Sequence, residues 1–184
     1  MLTLLSEEIY HGKLLDDVTC TKLLGIINSS QNWNQGEVIT NNNAIYNPKE
    51  RKVDILYADF FLNRLFYHLI IQLNSELSNI LNQYEIIINK KLNLPSLHVL
   101  RYTKGGKYEA HRDSVPHPYP QRQFTVIIYL NDNFVGGETS ILDKDLKISP
   151  KKGNVLIFNS AYLHKAHKVT EGIKFALVGW YEYS

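Results

Sequence analysis

The spacing of apolar positions changes character near Pro95. Upstream, apolar residues recur at helical intervals. Val18, Leu23, Leu24 and Ile27 form one stripe behind Asp16 and Asp17, either of which can cap a short helix. Phe61, Leu65, Leu69, Leu73, Leu77 and Ile80 predict a long amphipathic helix over 57–82, with room for one break. Short β-rich runs separated by Gly, Pro and Asn then dominate. The strand candidates are 84–88, 97–102, 110–113, 124–130, 138–142, 146–148, 155–158, 163–169 and 174–181. Many short strands at close spacing predict a sandwich or barrel. The expected fold is therefore mixed α and β, with residues 1–95 as mainly helical support and 96–184 as the working strand half.

Composition narrows the function classes. The 184 residues fit a single domain spanning 1–184. A net charge of +2, with no basic run longer than pairs such as Lys90-Lys91 and Lys151-Lys152, gives no electrostatic case for nucleic acid or a membrane surface. Cys20 is the only cysteine, which excludes an internal disulfide and predicts a reducing compartment, the cytoplasm. The first residues carry no basic segment of the kind that opens a secretory signal, and no apolar run approaches a membrane span.

The candidate chemistry begins at His111-Arg112-Asp113. On a strand, residues two apart share a face, so the imidazole and the carboxylate would project together. Alone this pattern is common. A second histidine would complete the two-His, one-carboxylate face of a non-haem Fe(II) oxygenase. His117, His164 and His167 are the downstream candidates. His117 lies in a Pro-rich loop and reads as lid or surface. His164 and His167 have opposite strand parity, so a regular strand turns only one of them inward. Lys174 shares a face with Ala176, Val178 and Trp180; on an interior face it needs an anionic partner. The opposite choice, with Phe175 and Leu177 on the core side and Lys174 in solvent, fits alternation equally well.

The segment Tyr102-Thr-Lys-Gly-Gly-Lys-Tyr-Glu-Ala-His111-Arg-Asp113 resembles the first metal motif of the prolyl 4-hydroxylase-like Fe(II)/2-oxoglutarate oxygenases. Arg122 to Asn131 with Thr125 and Tyr129, then Gly136-Gly137-Glu138-Thr139, resembles the next. His164, Val169, Gly172, Lys174 and Trp180 resemble the distal histidine, the small-residue spacing and the basic anchor. The resemblance covers residues 96–184, more loosely the helical half. It implies a double-stranded β-helix (jelly-roll) core buttressed by N-terminal helices. It implies His111, Asp113 and His164 as iron ligands, because the family's anchor lies ten positions after the distal histidine, which selects His164 over His167. It implies Lys174 as the 2-oxoglutarate anchor, with Tyr129, Tyr102 and Thr139 around the same cosubstrate.

The activity so implied is hydroxylation by Fe(II), 2-oxoglutarate and O2, with ascorbate as reductant and succinate and CO2 as products. Histidine ligands must be neutral, so activity should fall in acid. Arg122, Tyr119 and His117 are the substrate-side candidates, and the Pro-rich stretch 114–121 could close over the site. Nucleic-acid demethylases of similar chemistry place arginines after the distal histidine; here none follows Arg122. A protein or peptide, most simply a prolyl residue, is the expected substrate. A free amino acid or other small molecule is the alternative, and a catalytically silent metal-binding module is the non-enzymatic one. Gly136-Gly137 predicts a tight turn with unusual backbone angles.

Overall fold

Two capped helices shield one side of the protein. A computed structural model describes residues 2–40, 43–114 and 119–183. In chain order it has β1 (Thr3–Ser6), β2 (Ile9–Lys13), α1 (Asp17–Asn28), β3 (Asn34–Gln35), β4 (Val38–Thr40), β5 (Asn43–Ile45), β6 (Arg51–Lys52), β7 (Asp54–Leu56) and α2 (Phe60–Ile88). There follow β8 (His98–Tyr102), β9 (Lys107–His111), β10 (Arg122–Tyr129), β11 (Val135–Gly136), β12 (Thr139–Ile141) and β13 (Leu146–Ile148). The last strands are β14 (Asn154–Asn159), β15 (His164–Ala166), β16 (Val169–Glu171) and β17 (Lys174–Glu182).

Asp16 is the N-cap of α1, accepting the Thr19 N–H at 2.7 Å, and Asp59 caps α2 by accepting that of Leu62 at 2.8 Å. The buried stripe of α1 is Cys20, Leu23 and Ile27, with Val18 exposed. In α2 the buried stripe is Leu62, Phe66, Leu69, Leu73, Leu77 and Leu81. Phe61 is exposed, so the predicted stripe was out of register at its start. The helix is continuous over 29 residues and absorbs the strand expected at 84–88. The 3.6-residue pattern runs on through Leu77, Leu81, Tyr84 and Ile88, and the stop comes only at Asn89, left-handed at φ 52°.

An eight-stranded antiparallel sheet has the order β1-β2-β14-β10-β17-β8-β7-β3, and a five-stranded sheet the order β13-β12-β15-β9-β6. Residues 1–95 thus supply strands to both sheets as well as the helical cover; β1 and β2 have four and five residues, and the other strands of this half, of two or three residues, are too short to leave an alternation signal. One apolar core lies between the helices and the large sheet, where Leu23, Leu73 and Leu77 meet Val126, Leu177 and Tyr181. A second joins Tyr129, Phe158 and Ala176 of the large sheet to Ile141 and Ile148 of the small one. The architecture is a jelly-roll sandwich with helices on its outer face. Its strand β17, paired with β10 on one side and β8 on the other, is buried on both faces. No helix among the described residues is long and apolar enough to cross a membrane.

Candidate active site

A cavity of about 620 Å³ opens between the sheets. His111, Asp113 and His164 line one part of it, and Lys174, Tyr102 and Thr139 another. These three side chains come from separate places in the fold. His111 is the last residue of β9, and His164, the first of β15, is its cross-strand partner.

Asp113 is not on a strand, contrary to the parity expectation. Its backbone N–H leaves the ladder and donates to the Ser160 carbonyl at 2.9 Å, and that bend turns the carboxylate toward the histidines. His164 and His167 are likewise not on one regular strand. β15 ends at Ala166, and β16, which starts at Val169, belongs to a separate two-stranded ladder. His167 instead bonds Ser140 Oγ through Nε2 at 2.8 Å, away from the other two.

The ligand atoms of His111, Asp113 and His164 all lie within 4.8 Å of one another. Nδ1 of His111 donates to the Glu109 carbonyl at 2.7 Å, and Nδ1 of His164 to that of Tyr162 at 2.9 Å. With Nδ1 protonated, each neutral ring presents the Nε2 lone pair to the centre. Nε2 of His111 is 3.5 Å from Asp113 Oδ1, and Nε2 of His164 is 3.6 Å from Oδ2. Thr125 Oγ1 and Trp180 Nε1 both donate to Oδ2, at 2.8 and 3.0 Å. That leaves Oδ1 free, so two imidazoles and one carboxylate oxygen form a donor set that fits a divalent iron and leaves its cavity side open.

Electrostatics agree with a cation site. Burial works to raise the Asp113 pKa, but His164, His111 and the Trp180 N–H outweigh it and hold the carboxyl well below its usual range. Burial pushes His164 down to about 4, against the opposing pull of Asp113. Both groups are thus in the protonation state a metal requires at neutral pH. The roles of Thr125, Ser160 and the Trp180 indole were not anticipated. Thr125 lies opposite Trp180 across β10 and β17, and Ser160 Oγ is 2.9 Å from Thr125 Oγ1. The available signal was that Trp180 shares the Lys174 face.

At the other end Lys174 is 2% exposed. Its Nζ donates to the Gly137 carbonyl at 2.6 Å and sits 5.2 and 5.3 Å from the ring centres of Tyr102 and Tyr129. No carboxylate pairs with it among the described residues. Burial pushes its pKa down to about 7, with distant Glu138 opposing. Alternation could not decide this orientation because both faces of β17 are buried, Phe175 and Leu177 against the helices and Lys174 and Trp180 toward the cavity. Gly137, at φ +69°, could not carry a side chain here; a Cβ would press on Phe134, Val169 and the Lys174 stem. Tyr129 lies behind the cavity wall and donates to Thr139 Oγ1 at 2.9 Å.

Arg122 and Tyr119 line the cavity as well. The Arg122 guanidinium is sandwiched 3.8 Å from the Tyr119 ring centre and 3.6 Å from that of Trp180. It makes no ion pair among the described residues, and its Nε has no partner. His117 lies outside the described residues, as do the other residues of 115–118 in the expected closing loop.

Comparison with known proteins gives one answer. Residues 97–182 match the family model described as the 2OG-Fe(II) oxygenase superfamily. A PKHD-type hydroxylase of Prochlorococcus marinus (strain AS9601) is 30% identical over 79% of this chain and 73% of its own length. Two others from the same species align over about half of their length, 47% and 55%. Among solved structures, a prolyl hydroxylase from Trichoplax adhaerens, in complex with a peptide fragment of the hypoxia inducible factor oxygen degradation domain, superposes with a TM-score of 0.77. It is 19% identical, over 97% of this chain and 84% of that one. A Pseudomonas putida prolyl-4-hydroxylase superposes at 0.75 with 16% identity, over 96% and 93%. The chain belongs to the 2OG-Fe(II) oxygenase superfamily, with PKHD-type hydroxylases among its relatives.

Proposed function

We propose that this protein hydroxylates a prolyl residue of a protein or peptide, using Fe(II), 2-oxoglutarate and O2, with ascorbate as reductant. The observation that carries the reading is the pairing of a metal-competent triad with an uncompensated buried lysine in one cavity. A bound iron would supply the oxidising chemistry, in which 2-oxoglutarate is decarboxylated to succinate and CO2 while a substrate C–H becomes C–OH.

His111, Asp113 and His164 would hold the metal, offering Nε2, Oδ1 and Nε2. Lys174 pairs with the far carboxylate of 2-oxoglutarate, exchanging its bond to Gly137 for an ionic one. Thr139 donates its hydroxyl to the same carboxylate, because Tyr129 already fills one acceptor position on Thr139 Oγ1. Tyr102 walls the pocket beside Lys174. Thr125 and Trp180 keep Asp113 aimed at the metal. Arg122 and Tyr119, at the cavity wall, belong to the substrate side. The prolyl and peptide parts of the reading draw support from the fold neighbours, one of which holds a peptide.

A second reading, hydroxylation of a free amino acid, has one observation on its side: the Arg122 cation has no carboxylate partner among the described residues and lies at the cavity wall. Incubation with Fe(II), ascorbate, 2-oxoglutarate and either proline-containing peptides or free L-proline separates the two. One added oxygen on a peptide prolyl residue, located by mass spectrometry, with matching succinate, is the expected result. Oxygen added only to the free amino acid supports the second reading. Metal-loaded protein that forms no succinate with any probe overturns both.

A further inference from the structure

The backbone holds His98 in one tautomer. Its Nδ1 accepts the Ala58 N–H at 2.9 Å. A neutral imidazole carries a single proton, so that proton resides on Nε2. Burial, and then the nearby Arg122 charge, push the His98 pKa below the usual histidine range, which keeps the ring neutral at pH 7. The ring lines the same cavity as the triad, and no partner of Nε2 occurs among the described residues.

The surroundings of His98 define what it faces. The Tyr57 ring meets it edge-on at 5.5 Å, and the Trp180 ring lies 6.1 Å away, tilted. β8 places His98 opposite Val178, two residues before Trp180. Arg122 also stacks on Trp180, 3.6 Å from its ring centre. The Trp180 indole, itself bonded to Asp113, therefore has both a cation, Arg122, and a neutral N–H donor, His98, as neighbours.

We infer that His98 is a substrate-binding residue, its Nε2–H donating to a neutral carbonyl oxygen of a bound peptide beside the Trp180 indole. A neutral donor has no charge to offer a carboxylate, so it suits an amide carbonyl. Tyr57 and Trp180 supply flat apolar walls on which a ring such as proline can pack. This inference rests on the peptide reading above and adds a named contact to it. The competing structural role is that His98 only ties down the β7–α2 connection through Ala58.

Two variants separate these roles. His98→Asn can accept from Ala58 through Oδ1 and donate through Nδ2, whereas His98→Leu does neither. The probes are proline-containing peptides, acetylated and amidated so that no terminal charge remains, titrated calorimetrically into protein loaded with Zn(II) and 2-oxoglutarate, which cannot turn over. A separate 2-oxoglutarate titration of each variant reports whether its pocket is intact. Wild type should bind a capped peptide, His98→Leu should bind it about tenfold more weakly, and His98→Asn should return to within about threefold. Equal affinity in wild type and His98→Leu sinks the inference, as does equal loss in both variants. NMR of the zinc-loaded wild type needs no variant: the His98 Nε2 proton should move downfield on adding peptide, and an unmoved signal rules the contact out. A wild type that binds none of the capped peptides overturns the peptide reading itself and takes this inference with it.

Discussion

At one end of the cavity Lys174 leaves a central strand and is enclosed by Tyr102, Tyr129 and Gly137. At the other, His111 and His164 occupy strand termini and Asp113 a bend. The ends also differ in electrostatic balance. The metal end contains its own anion: its neighbours hold the Asp113 carboxyl ionised, and burial keeps His164 neutral. The anchor end contains a cation with only a carbonyl for company, and burial works against its charge. One end is thus prepared for a cation by including an anion, while the other is prepared for an anion by leaving a cation without one. Substitutions at the two ends should therefore affect stability with opposite sign while both impair function.

The largest loss is expected at the metal end. Asp113→Ala removes the anion that offsets the ion's charge, and leaves the Thr125 and Trp180 donors facing empty space. Succinate formation should fall by more than the roughly 100-fold upper range of an outer-shell change, with a matching loss of Fe(II) affinity measured by titration. Retention of activity within tenfold would move the metal site elsewhere.

Lys174→Met tests the other side of the comparison. Removing one partner of a buried charge pair costs about 2–5 kcal/mol of binding, so 2-oxoglutarate affinity should fall by about 30-fold or more. The ligand-free variant should nonetheless be more stable than wild type at pH 7. With its pKa at about 7 in the folded protein and near 10.5 unfolded, Lys174 binds fewer protons folded than unfolded between those values. Its cost to stability is complete below pH 7, shrinks as pH rises, and vanishes above about pH 10.5. The gain at pH 7 should be on the order of a few kcal/mol, read as a higher Tm, and should fade toward pH 10.5. A destabilised Lys174→Met would show that the Gly137 bond outweighs the burial of charge.

The same shift predicts how the wild type meets its cosubstrate. Above pH 7 the unliganded lysine loses its proton, whereas a bound carboxylate requires it. Apparent 2-oxoglutarate affinity should weaken by up to about tenfold per pH unit from about pH 7 upward, with one proton taken up on binding. Calorimetry in buffers of different ionisation enthalpy measures that proton directly. A flat profile between pH 7 and 9 would place the anchoring charge on another group.

How much of this was legible in the sequence also differs between the two ends. His111, Asp113 and His164 are readable as residue types at a spacing, yet strand parity cannot join His111 to Asp113, because β9 ends at His111. They converge because the Asp113 N–H finds the Ser160 carbonyl, a long-range contact without local trace. Lys174 was on a regular strand, but alternation was silent because helices cover the opposite face. In α2 the apolar residues at 61, 62, 65 and 66 allow two neighbouring stripes, and only packing on the sheet selects Leu62 and Phe66. His98 gave no signal at all, since its tautomer depends on Ala58, forty residues earlier.

Tyr129→Phe should give the smallest effect and tests how deep the anchor end extends. Tyr129 is fully buried, and burial raises its pKa so far that the phenol stays protonated at any ordinary pH. It therefore always donates to Thr139 Oγ1, which leaves the Thr139 hydroxyl hydrogen to point elsewhere. Losing that bond frees Thr139 to rotate but removes nothing that faces the cavity. The expected cost is about 1 kcal/mol in stability and only a few-fold in 2-oxoglutarate affinity. If Tyr129→Phe instead weakened 2-oxoglutarate as much as Lys174→Met, Tyr129 would have to touch the ligand itself. The Lys174 end would then be a two-donor clamp, and the opposition between an anion-containing end and an unpaired-cation end would no longer rest on one lysine.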